Sequence, residues 1–302
     1  MSILFLWLVY SVSPAAELYA KKMEIVRTTE GQVTFFRDSV RISDGETRIT
    51  AGWARVSESQ GVAVIGESVV IENPDGVVRA DSCVYYLNEK RTELVGNVRV
   101  EQESILVFAP KLEYVISRHT VYARDGLVVQ GRSRDFRLEG RQGDYDLSQD
   151  IGRVENRPRM IQVQDKDSVV VTASEMQWSA RESRALAAGK VQVESGRAQL
   201  TCDSLLYLTS EDSGVAWGSP VVTDSSSRTT GCTVTIVVKH GSLDRVEIVG
   251  DAASRYRTEA GDQVEVAGTK IIVRMDNGEV GTIEVHELAY GRLVRPTGSG
   301  GG

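Results

Sequence analysis

A unit of about thirty residues recurs along this chain, and the repeat limits the fold more than any other feature. A glycine or its stand-in precedes a short run of alternating apolar residues. The copies read GESVVIE from Gly66, GNVRVEQ from Gly96, GLVVQG from Gly126, GKVQVES from Gly189, GSPVVT from Gly218 and GDAASRY from Gly250. Successive spacings are 30, 30, 63, 29 and 32 residues, and the 63 is a double step with Asn156 (NRPRMIQVQ) filling the gap. The series predicts about eight copies, the first near Gly31 (GQVTFF).

The second half of each copy carries its own pattern. VVRADSCVYYL around Ala80, LVFAPKLEYVI around Ala109, RLEGRQGDYDL around Gly140, VVTASEMQWSA around Ala173 and QLTCDSLLYLT around Cys202 align on their small residue. Each has an apolar residue two positions before it, two mostly polar residues after it, and then side chains at plus three and plus five. Those pairs are Cys83 and Tyr85, Leu112 and Tyr114, Gly143 and Tyr145, Met176 and Trp178, Leu205 and Tyr207. The apolar parity therefore flips by one at the polar pair. In a straight strand that flip would send half of the apolar side chains to the wrong face, whereas one inserted residue re-aims the strand and keeps the same face inward. The pattern predicts a bend in every copy, with the small residue fitting a crowded corner. It is diluted around Ala51 and Cys232 and returns at Gly268 as VAGTKIIV.

Thirty extended residues would reach about 100 Å, so each copy must fold back on itself. Turn signals at NPDG (73–76), LNEKR (87–91), 179–183 and MDNGE (275–279) lie between the alternating runs, and no helical period is sustained. The expectation is an all-β chain of about sixteen bent antiparallel strands, an elongated jelly-roll or solenoid-like array. Around it, the apolar run Ile3 to Val12 followed by SPAA suits an export signal over residues 1–20. The array itself is expected over 23–290 and a flexible tail, ending in TGSGGG, over 291–302.

A net charge of −7 with scattered Lys and Arg excludes a surface built for nucleic acid. The chain has no P-loop, no G-x-S-x-G and no G-x-G-x-x-G, and its three histidines do not recur with the repeat. A polysaccharide-active parallel β-helix would need carboxylates in a ladder. Asp81 and Asp203 occupy the bend position, but Pro110, Arg141 and Ser174 replace them in the copies between. No catalysis, metal or cofactor is expected. The three cysteines form no metal-type spacing, and Cys202 and Cys232 read as equivalent positions in adjacent copies. Antiparallel strands would keep these two apart, leaving free thiols.

The sequence GNVRV, then about nine residues, then A-D-x-x-x-Y (as ADSCVY), then a turn and ELVG resembles the OstA-like repeat, best over 61–123 and 185–210. That family comprises lipopolysaccharide-transport proteins of the periplasm: the soluble bridge protein, its membrane-anchored relative and the N-terminal domain of the outer-membrane translocon. The resemblance implies a β-jelly roll with an open apolar interior that shields acyl chains in a Gram-negative-type periplasm. It also implies other OstA-like proteins at the inner and outer membranes as partners, and unpaired end strands invite head-to-tail self-assembly. By position, the interior lining would be Tyr85, Leu112, Tyr114, Tyr145, Met176, Trp178, Leu205 and Tyr207, against lipopolysaccharide or a similar amphipathic lipid. The competing reading is a structural or adhesive β-repeat protein whose core is dry.

Overall fold

In a computed structural model the described residues are 17–29, 31–44, 46–134, 136–164, 167–179, 181–208, 210–239, 242–258, 261–276 and 279–295. Of the expected export signal, residues 1–16 lie outside them. The chain divides into two compact units, Met1–Asn156 and Arg157–Gly302. The first holds β1 (Glu17–Tyr19), β2 (Lys22–Thr28), β3 (Gly31–Asp44), β4 (Thr47–Ser57), β5 (Val62–Asn73), β6 (Gly76–Tyr86), β7 (Arg91–Glu101), β8 (Ile105–Val115), β9 (Thr120–Arg124), β10 (Leu127–Gly131), β11 (Phe136–Gly140), β12 (Gln142–Asp146) and β13 (Ile151–Glu155). The second holds β14 (Arg159–Gln164), β15 (Asp167–Thr172), β16 (Glu175–Ser179), β17 (Arg184–Ser195), β18 (Ala198–Leu208), β19 (Ser213–Trp217), β20 (Val221–Thr223), β21 (Ser227–Thr230), β22 (Thr233–Lys239), β23 (Ser242–Arg257), β24 (Gln263–Asp276), β25 (Glu279–His286) and β26 (Tyr290–Val294).

Successive strands pair antiparallel as hairpins, which removes the parallel β-helix alternative. The twenty-six described strands exceed the expected sixteen because many bends interrupt the ladder and divide one bent strand into two arms. Thus β8 pairs with β9 along one arm and with β10 along the other. Turn chemistry behaves as the sequence suggested at residues 73–76, where the Asn73 side chain accepts from the backbone N–H of Asp75 and Gly76 at 3.1 and 3.0 Å. Strand β26 runs four residues into the stretch read as tail, paired with β24.

The bends are real, but their extra residue sits on the other strand. Between β5 and β6 the register passes from Gly66 opposite Ser82 to Val69 opposite Ala80. Two residues of β5, Glu67 and Ser68, thus face the single Asp81. Both have left-handed backbones, φ 67° and 60°. Such left-handed pairs recur at 38–39, 67–68, 96–97, 125–126, 156–157, 189–190, 218–219 and 250–251, every 29 to 33 residues. Among the described residues, eight corners therefore mark eight copies. The inserted residue belongs to the strands read as glycine-led, while β6 turns at Asp81 alone and keeps Ala80 and Cys83 both buried. The glycine is thus a mid-strand corner residue and not a strand start.

Two alignments shift by one position as a result. Gly96 is the first member of its pair, whereas Gly66 precedes its pair, and the first corner is Asp38–Ser39 and not Gly31. Likewise Gly231, not Cys232, takes the small position of its copy. The Cys232 N–H donates to the carbonyls of Val249 and Gly250 at 3.0 and 2.8 Å, as the Asp203 N–H does to Gly218 and the Ser174 N–H to Ala188 and Gly189. Cys232 is a bend residue. It is exposed, whereas Cys83 and Cys202 are buried, and all three thiols are free.

The corner also explains why an aspartate and a glycine travel together. A Cβ on Gly96 would fall 2.2 Å from the Asp81 carboxylate, and one on Gly218 2.4 Å from Asp203. The aspartate side chain lies over the bare backbone of the next strand, where Asn97 Nδ2 donates to Asp81 Oδ2 at 2.9 Å. Left-handed φ and this close approach both demand glycine there.

Candidate lipid-binding interior

Cross-strand partners share one face of a sheet, so the register assembles the side chains into rows. In the first unit the plus-three positions join Ile65, Cys83, Leu94, Leu112, Ala123, Gly143 and Val154 on successive strands. Most of this row is buried, from Val154 at 0% to Ile65 at 8% exposed. Beyond the bend a second row runs Ile42, Ile49, Ile71, Val78, Val100, Val107, Val129 and Leu138. Eight neighbouring strands thus present an unbroken aliphatic line. The second unit repeats the arrangement with Met176, Ala187, Leu205, Ala216, Val234, Ile248 and Ile271. Its row beyond the bend includes Val171, Val193, Leu200 and Val222, then a buried hydroxyl pair, Thr229 and Ser254, 2.8 Å apart.

The plus-five positions form a separate row nearer the end turns. It joins Tyr85, Thr92, Tyr114, Val121 and Tyr145 in the first unit, and Trp178, Ala185, Tyr207 and Gly214 in the second. Aromatic rings on alternate strands stand about 10 Å apart, with smaller residues between them. Five residues after each ring the chain turns on a left-handed residue: Lys90, His119, Asp150, Ser183 and Asp212. Two of these turns hold the phenol in front of them. Tyr145 Oη donates to the Asp150 carboxylate, and Tyr207 Oη to that of Asp212 at 3.2 Å. Burial, and then the Asp212 carboxylate, raise the Tyr207 phenol above its ordinary pKa; burial alone raises that of Tyr85. Each anchored ring has an apolar body and a polar tip at the sheet's end.

The sequence-selected residues therefore fall into two groups, one per unit. Tyr85, Tyr114 and Tyr145 share one row with Leu112 in the next; Trp178 and Tyr207 share another, with Met176 and Leu205 beside them. Leu112, Tyr114 and Met176 are buried, and the other five are half-buried. Sequence reading missed the strands between, which supply Ile65, Thr92, Leu94 and Ala123. Their signal was the alternation in TELVG and TVYAR, but the reading followed only one strand of each hairpin.

Charge lies on the opposite face. On β7 and β8, Glu93 pairs with Arg91 and with Lys111, the latter at 2.8 Å, and Glu113 meets Arg91 at 3.6 Å. Burial pushes the Glu93 carboxyl up, but its hydrogen bonds from Lys111 and Arg91 outweigh that and hold it below the usual carboxylate range. Arg91 also covers the Tyr86 ring, 3.9 Å from its centroid.

Fold and interior define a repeat-built antiparallel β protein, apolar within and charged without. Residues 17–120 match the family model described as LptA/(LptD N-terminal domain) LPS transport protein. Over that stretch the chain is similar to the lipopolysaccharide-transport family that the repeat motif resembles. No curated protein matches the chain. Among solved structures is LptH, the LptA-homologous periplasmic component of the conserved lipopolysaccharide transport device from Pseudomonas aeruginosa. It is 14% identical over 54% of this chain and 76% of that one, with a TM-score of 0.19, too low to bear on the arrangement of strands.

Proposed function

We propose that this chain is a non-enzymatic periplasmic carrier that shields the acyl chains of lipopolysaccharide, or of a similar amphipathic lipid, and bridges the inner and outer membranes. The observation that carries this reading is the pairing of long apolar rows with a row of rings, two of which, Tyr145 and Tyr207, end at an aspartate of the following turn. Each acyl methylene withdrawn from water is worth about 0.8 kcal/mol, so such a lining holds a lipid without covalent chemistry. The ring row marks the transition from chain to headgroup. The family match over residues 17–120 and the apolar run Ile3 to Val12 support a periplasmic location on this reading, with other OstA-like proteins at either membrane as its partners. Its end strands serve head-to-tail assembly: Met23 and Ile25 on β2 are 62% and 50% exposed, and Leu293 on β26 is 55% exposed.

A photo-crosslinking amino acid at Trp178, with Arg184 on the outward face as control, tests the interior in cells. The expected result is capture of lipopolysaccharide at 178 and not at 184. A folded, exported protein that captures nothing at 178 would instead support the dry structural repeat, the reading that the burial of Leu112, Tyr114 and Met176 favours.

A further inference from the structure

Three buried polar atoms lack a hydrogen-bond partner among the described residues: Ser57 Oγ, Thr92 Oγ1 and Arg245 Nε. Ser57 lies on the outward parity of β4, and the Arg245 guanidinium reaches Glu247 through its Nη1 at 3.4 Å. Only Thr92 lies in the apolar interior, where the residue is 2% exposed. It stands in register between Tyr85 of β6 and Tyr114 of β8, with Leu94 and Leu112 behind it in the deeper row.

A buried hydroxyl left unpaired carries its full desolvation cost, and valine would fill the same shape without it. Such an orphan in a folded protein calls for an explanation. A resident water needs two to four polar partners, and the deeper neighbours of Thr92 on its own sheet face, Leu94 and Leu112, supply only aliphatic carbon. The second unit shows the alternative, because its buried Thr229 hydroxyl is satisfied by Ser254. In the first unit no described residue supplies that partner.

We infer that the Thr92 hydroxyl donates a hydrogen bond to an oxygen on the bound acyl chain, an ester carbonyl or a chain hydroxyl lying between Tyr85 and Tyr114. The first unit then selects oxygen-bearing acyl lipids over plain hydrocarbon chains. This rests on the lipid-carrier reading. A site built around a hydrogen-bonding group rejects the analogue that lacks it, because its own polar atom is then left unpaired.

The test uses the full chain with Tyr85 replaced by p-benzoylphenylalanine, a local probe of this row. 1-Palmitoylglycerol and 1-hexadecylglycerol share a headgroup and differ in the ester carbonyl; they compete at equal concentration, and intact mass measures the photo-adducts. With Thr92, and with Thr92→Ser, the ester should be captured about tenfold more than the ether. Thr92→Val should bring the ratio to about one while retaining ether capture, with a thermal unfolding midpoint no lower than the parent's; Thr92→Ala gives the same reading should valine not fold. An unchanged ratio in the valine variant overturns the inference, as does equal capture of both lipids by the Thr92 protein. Capture of neither lipid by that protein overturns the carrier reading for this unit, and the inference with it.

Discussion

Cys232 stands at an outer corner where its equivalents are Asp203 and Ser174, and that placement separates it chemically from the other two thiols. Burial pushes the Cys83 thiol up to about 12. Burial, with Asp203 nearby, pushes that of Cys202 to about 11, although a backbone hydrogen bond from Ser204 opposes the shift. Since the thiolate is the nucleophile, Cys232 should consume one equivalent of a disulfide reagent within seconds at about pH 8, and the other two should react only on unfolding. Mass mapping of the labelled peptide checks this; rapid labelling of Cys83 would contradict the corner geometry. The corner glycines make a second residue-scale prediction. Gly96→Ala places a Cβ against the Asp81 side chain at a left-handed φ, and should cost about 2 kcal/mol in denaturant unfolding. Asp81→Ala should recover part of that loss, because it removes the carboxylate contact but leaves the Asp81 Cβ at 2.9 Å and the backbone strain.

At the scale of the strand, the outward ladder on β7 and β8 makes stability depend on acid. The folded Glu93 carboxyl lies below its ordinary value of 4.5. Its contribution is therefore fully present above that value and is lost as pH falls through the folded pKa. Glu93→Gln should cost about 1 kcal/mol at neutral pH, and the gap to the parent should narrow as the solution is acidified below 4.5. A gap independent of pH would mean that packing, not charge, supplies the effect. The strands also show what the sequence made legible and why. Alternation and the repeated parity flip revealed antiparallel strands, the bends and one side of each hairpin's lining, because side-chain period and small-residue spacing are local properties. Which strand held the extra residue was not legible, since the recurring position, filled once by Asn156 in place of glycine, was read as a strand start and not as a left-handed corner. Asp38–Ser39, Glu67–Ser68 and Asn156–Arg157 turn the same corner without glycine, two of the three pairs using Asp or Asn, which tolerate that conformation. Thr92 escaped notice for another reason: its isolation is set by neighbours on two other strands, and no local window contains them.

For the whole molecule the consequential surfaces are the strands at either end of the chain. Among the described pairings β1 and β2 bond only to β3, and β25 and β26 only to β24, leaving backbone donors and acceptors open beside exposed apolar side chains. An open edge with apolar neighbours is a template for another strand. Two kinds of contact are available, and they differ in symmetry: like edges can meet in a closed dimer, or unlike edges can meet in a chain that grows. Charge on one edge at a time distinguishes them. In a head-to-tail assembly, Met23→Glu with Ile25→Glu, and separately Leu293→Glu, should each give monomers by sedimentation, because every contact needs both edges. Mixing the two variants should restore a dimer that grows no further, each protein supplying the edge the other lacks. A like-edge contact would leave one variant dimeric alone and gain nothing on mixing. The mixed-variant result therefore tests whether this chain can extend a bridge through copies of itself or must rely on a different partner at each end.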